Sequence, residues 1–197
     1  MLSVVIKMKN KYIFHSHISE QKFREVIRYF ALDIEISKIA VLTGISRQSL
    51  NVIIMAVRHR IAFHCEKGSP FESEYSKGEP VAGGFIIYNS CVCVQMIGSD
   101  FDDDVKALKK ENVSDLLKKY SGVVDFRSWK YHRIEQGIGE ADTFWSLTKA
   151  RLTKFRGIRR DKLYYHLKES EYRYNHRNEN LYPLLLKLCR DPALRLI

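Results

Sequence analysis

"EISKIAVLTGISRQSLNVIIMAVRHRIAFHCE", residues 35–66, decides how the chain is read. Ile36, Ile39 and Ala40 stand at helical spacing, and the run ends at Thr43-Gly44, where glycine can take the left-handed conformation that turns a chain sharply. Ser46 is placed to cap a further helix, with Ile45 and Leu50 as a hydrophobic staple across its start. Leu50, Ile53, Ile54, Val57 and Ile61 make the inward stripe, which leaves Arg47, Gln48, Asn51 and Arg58 on the outer face. Upstream, "SEQKFREVIRYFALD" (19–33) spaces Phe23, Val26, Ile27 and Phe30 along one face of an amphipathic helix that Ser19 can cap. Together these form the helix–turn–helix pattern, whose last helix enters the major groove N-terminus first. Arg47, Gln48 and Asn51 have side chains able to reach base edges or phosphates. The competing reading is a three-helix bundle with an ordinary polar face; the glycine, the cap and the length of the second helix favour DNA binding.

The rest of the chain suits that partner. Its 197 residues allow one sizeable core, or a small module plus a medium domain, and 45% hydrophobic with 28% charged residues is a globular composition. No apolar run is long enough to span a bilayer, and "MLSVVIKMKNK" is a poor signal peptide, so an intracellular, cytoplasmic and nucleoid-associated protein is expected. The four cysteines form no Cys-x-x-Cys pair and have no His at metal spacing, so reduced thiols are expected. The net charge of +10 is unevenly spread: +6 over residues 1–67, −4 over 68–142 and +8 over 143–197. Basic flanks around an acidic centre suit ends that grip a polyanion and a middle that gathers carboxylates.

Beyond the head, "EKGSPFESEYSKGEPVAGG" (66–84) reads as a linker or loop. Phe85–Tyr88 and Cys91–Ile97 then read as two strands, joined by a hairpin turn at Asn89-Ser90. "DFDDDVKALKKENVSDLLKKY" gathers acids at a helix start, and "GVVDFRSWKYHRI" is a weak extended stretch. "GEADTFWSLTKARLTKFRG" (139–157) is a helix bearing Lys149, Arg151, Lys154 and Arg156, which cannot all share one face. The tail predicts a long helix, a turn and an apolar segment that Pro183 can cut. Trp145 is read as an anchor to the core, with a DNA contact as the minority reading. Asn175, His176 and Arg177 close a turn, and Arg177 can also contact DNA. His15, His17, His59 and His64 are spaced too irregularly for a metal site.

Two blocks carry a family resemblance. "HISEQKFREVIRYFALDIEISKIAVLTGISRQSLN" resembles the head of bacterial insertion-sequence transposases of the ISXO-like group. "TFWSLTKARLTKFRGIRRDKLYYHLKESEYRYNHRNENLYPLLLKL" resembles their C-terminal signature, including the Phe-Trp pair, "KFRGI", "HLKE" and "NHR". The resemblance implies an α+β chain: a helix–turn–helix DNA-binding head over 1–67, a linker or remnant of the first catalytic strand over 68–83, and an incomplete ribonuclease-H-like domain over 84–197 with a small mixed sheet and C-terminal helices.

It also implies three acids holding Mg²⁺ or Mn²⁺ for strand cleavage and transfer at phosphorus. Asp115, in Ser114-Asp115 five residues before Tyr120, matches the second acid. Asp142, three residues before Trp145, matches a position that the family fills with the longer Glu. The first acid's strand is missing, with Glu72 or Glu74 in "FESEYS" as its remnant, and a sheet without that strand is expected to expose an unpaired edge. The implied function is a transposase, weakened or inactive, bound to the terminal repeats of a transposon and able to act as a homodimer. A non-catalytic helix–turn–helix DNA-binding protein or regulator is the alternative, and a helical protein of unrelated role the least favoured. DNA contacts are expected from Arg47, Gln48, Asn51, Arg58, Lys149, Arg151, Lys154, Arg156 and Arg177.

Overall fold

The computed structural model describes residues 10–14, 17–71, 79–108, 113–115, 117–135, 139–154 and 158–196. Among these are seven α-helices and one four-stranded sheet, an α+β composition. The chain forms two compact units, one of Met1–Ile61 with His176–Ile197 and one of Ala62–Asn175. Residues 176–197 thus group with the head, a division that differs from the boundaries set by composition and resemblance.

In the first unit, α1 (Glu20–Ala31) starts where the Ser19 hydroxyl accepts the Lys22 N–H, and buries Phe23, Val26, Ile27 and Phe30 as its spacing predicts. Next, α2 (Ile36–Thr43) stops at Gly44, whose φ of +67° lets its N–H return to the Ala40 carbonyl. The Ser46 hydroxyl accepts the Ser49 N–H at 3.1 Å and starts α3 (Arg47–Lys67), with Ile45 and Leu50 both buried beneath it. The chain bends by 118° between α2 and α3. Lys22 braces this turn from α1, its ammonium donating to the Thr43 carbonyl at 2.9 Å. The last helix of this unit, α7 (Leu181–Arg190), is capped by Asn180 and packs on α1. Pro183 does not cut it. Proline falls in the first turn, where its missing N–H has no intrahelical acceptor to lose.

In the second unit, β1 (Pro80–Tyr88) and β2 (Cys91–Gly98) form the expected hairpin, with Asn89 and Ser90 at φ +48° and +61°. Two successive positive φ values give the primed turn whose twist matches antiparallel strands. The connection onward carries α4 (Asp102–Ala107), with Asp102, Asp103 and Asp104 in its first turn. Then β3 (Gly122–Asp125) and β4 (Lys130–Arg133) complete the order β2-β1-β3-β4.

Every pairing is antiparallel, which corrects the expectation of a mixed sheet. Two of the three adjacent pairs, β1–β2 and β3–β4, are hairpins with short turns, which join antiparallel strands without a crossover. Nor is β1 left with an open side: Ala82–Phe85 pair with β3 from Asp125 back to Gly122. The Tyr120 ring occupies the space a Cβ on Gly84 would need, and the Tyr131 ring does the same over Gly122, so these glycines admit aromatic cover onto the sheet.

One sheet face packs Phe85, Val94 and Val124 against α5 (Glu140–Lys154) and α6 (Arg160–Asn175) through Phe144, Trp145, Leu163 and Leu167. The other buries Ala82, Ile97 and Val123 against Val105, Leu117 and Tyr120. The outer edge of β2 is closed by side chains of α6. Asn175 accepts the Val92 N–H and donates to the Val92 carbonyl, both at 2.9 Å, and Glu171 accepts the Val94 N–H at 3.0 Å. Three polar contacts stand in for a neighbouring strand.

Candidate nucleic-acid interface and acidic positions

The first turns of α3 expose Arg47, Gln48 and Asn51, while Leu50, Ile53 and Ile54 anchor the same turns inward. The bend before the helix sets these three side chains on its free N-terminal end. Partly positive backbone N–H groups there add to the attraction for an anion. Arg58 does not share this surface. It lies four residues after Ile54 and three before Ile61, on the inward stripe, and is 5% exposed. The expectation of an outward Arg58 is corrected by helical register.

The cations of α5 also separate by register. Lys149 and Lys154 are exposed, whereas Arg151 is buried and donates to the Ser170 hydroxyl at 3.1 Å, with its guanidinium against the Glu169 carboxylate. Arg151 is therefore withdrawn from the expected phosphate contacts. Arg156 lies outside the described residues, and Arg177 is exposed in the turn after α6. Trp145 is buried among Phe85, Trp129 and Tyr131, in the anchoring role.

Asp142 occupies the third position of α5. Its carboxylate accepts the Gly139 N–H at 2.9 Å and the Arg133 Nε–H at 2.8 Å. The first contact is the return arm of a capping box; the second ties the helix to β4. Burial works against its ionisation, but the Gly139 N–H and the Arg133 guanidinium prevail and hold its carboxyl below the usual range. Asp115 is exposed and paired with the Lys118 ammonium at 2.6 Å, which lowers its pKa. Glu72 and Glu74 lie outside the described residues. Among the described residues no three His, Cys, Asp or Glu side chains stand together to hold a metal. Asp115 and Asp142 are instead each paired with a cation, Lys118 and Arg133.

A third carboxylate of this unit escaped the sequence reading. Asp125, at the end of β3, is fully buried. It accepts the backbone N–H and Nε–H of Arg127 and the Ser128 hydroxyl, each at 3.0 Å, and Arg127 reaches on to Asp102. Burial opposes its charge, and these donors outweigh it, so its pKa is lowered. The available signal was Asp-x-Arg-Ser directly after Val-Val, a carboxylate at a strand end followed by donors in a turn. Its lone pairs serve that turn.

The cysteines are free thiols. Burial pushes Cys93 up to about 11 and Cys189 up to about 12, and it also raises Cys65, so all three stay protonated and poorly nucleophilic. Comparison with protein-family models, with curated proteins and with solved structures returned no match.

Proposed function

We propose that this chain binds double-stranded DNA through a helix–turn–helix formed by α2, Gly44 and α3, and that it does so without cutting the DNA. The observation that carries the reading is the 118° bend before α3, together with Arg47, Gln48 and Asn51 exposed on its first turns. A bend in this range is the helix–turn–helix angle, and these residue types match what base edges accept: Arg for guanine, Gln and Asn for adenine. The sequence resemblance to insertion-sequence transposases supplies the target class, the terminal repeats of a transposon. The cations at Asp115 and Asp142 favour the non-catalytic form of that ancestry over an active ribonuclease-H-like enzyme.

The test is binding of the full chain to duplexes carrying candidate terminal repeats, titrated with salt in the presence and absence of Mg²⁺. Binding that weakens linearly in log affinity against log salt, with the DNA left intact, supports the proposal. Absence of duplex binding near physiological salt removes it. Mg²⁺-dependent strand cleavage with turnover restores the active transposase.

A further inference from the structure

The turn between β3 and β4 ends in an unusual residue. Its closing bond runs from the Trp129 N–H to the Asp125 carbonyl at 2.7 Å, with Trp129 at φ +54°. Glycine and asparagine enter that left-handed region readily, but a bulky side chain rarely does, and such strain gathers at functional positions. The indole lies nearly parallel to Trp145, 9° between planes and 6.3 Å between centroids, and is tilted against Phe126. Trp145 beneath is 5% exposed, whereas Trp129 is 38% exposed. The turn therefore holds an aromatic surface outward on a rigid aromatic support. Lys149, one helical turn beyond Trp145, is exposed on the same helix, whereas Lys130 is paired with Asp125 across the hairpin and belongs to the opposite face of the sheet.

We infer that Trp129 is a stacking platform for an unpaired base of a DNA strand, an extension that rests on the DNA-binding reading above. A base offers a flat π-face to the indole, and its phosphate answers the Lys149 ammonium. An apolar peptide would use the ring but leave the Lys149 charge without purpose. A base inside an intact duplex cannot present its face, so the platform selects nucleotides that are unpaired or displaced from the stack.

The test compares the full-length chain with Trp129→Gly, and with Trp129→Asn as a second variant, since both residues adopt the observed φ without strain. Two DNAs are used: an intact duplex, and the same duplex carrying one unpaired nucleotide. The wild type is expected to bind the second on the order of tenfold more tightly, with indole emission quenched, and either folded variant is expected to lose that preference while keeping its affinity for intact duplex. Equal affinity of the wild type for both DNAs overturns the platform, as does a preference that survives the substitution. Wild type that ignores intact duplex yet still prefers the unpaired nucleotide sinks the helix–turn–helix reading and leaves the platform standing.

Discussion

The two compact units place their charge in opposite ways. In the first, the helix stripes are apolar apart from Arg58 and Thr43, and the polar residues at the start of α3 face solvent. In the second, "HLKESEY" of α6 is buried on every side: Lys168, Glu169, Ser170 and Glu171 are all shielded from water. Glu169 faces both the Arg151 guanidinium and, at 2.8 Å, Arg173, while Lys168 pairs with Glu171 at 2.9 Å. The lesson concerns net charge. A basic segment announces a polyanion partner only to the extent that its cations remain outside, and Arg151, Lys168 and Arg173 are committed to Glu169 and Glu171.

The sharpest way to break this contrast is to empty the buried network. Glu169→Ala strands two guanidinium groups and is expected to cost about 3–5 kcal/mol in urea unfolding; a loss below about 1 kcal/mol would mean the network organises nothing. Next comes the pairing of Arg47→Ala with Arg151→Met. Arg47→Ala should weaken duplex binding by about 1–3 kcal/mol and leave the urea midpoint in place, whereas Arg151→Met should lower the midpoint. Swapped outcomes would reverse the assignment of outward and inward cations.

A smaller effect is expected at Asp142→Asn, about 1 kcal/mol from the capping box. Because the folded pKa of Asp142 lies below its unfolded value, its stabilisation is fully present above the unfolded value and is lost as pH falls through the folded one. The variant should therefore show a shallower acid limb in stability against pH, and added Mg²⁺ should protect neither protein from unfolding. The smallest change belongs to Lys149→Ala. If Lys149 meets a phosphate, the slope of log affinity against log salt should fall in magnitude by about 0.9, with no change in sequence preference.

The head was legible because its signals are local. Ser19 and Ser46 cap, Gly44 turns, and apolar residues recur at helical spacing, so each boundary is written within a few residues of where it acts. The β1–β2 hairpin was legible for the same reason, through Asn89-Ser90. The rest depended on partners far along the chain. The long helix of the tail was expected but its burial was not, since that rests on ion pairs and on Asn175, which finds β2 from 83 residues away. Arg58 and Arg151 were misplaced by treating charge as a marker of the wet face, against their register with buried neighbours. Asp142 was singled out through the resemblance, whereas its contacts come from the fold. The ion pair with Arg133 was not legible because only the folded β4 brings that residue near.

The closure of β2 by Asn175 also sets a schedule. Because 83 residues separate Val92 from Asn175, the ribosome must add the rest of the unit before the strand's outer edge can be covered. At ordinary synthesis rates that interval is roughly 4–17 s, long beside the microseconds a hairpin needs to form. A nascent chain thus carries a formed and sticky strand for seconds, and fragments ending before Glu171 should accumulate as aggregates or chaperone-bound species.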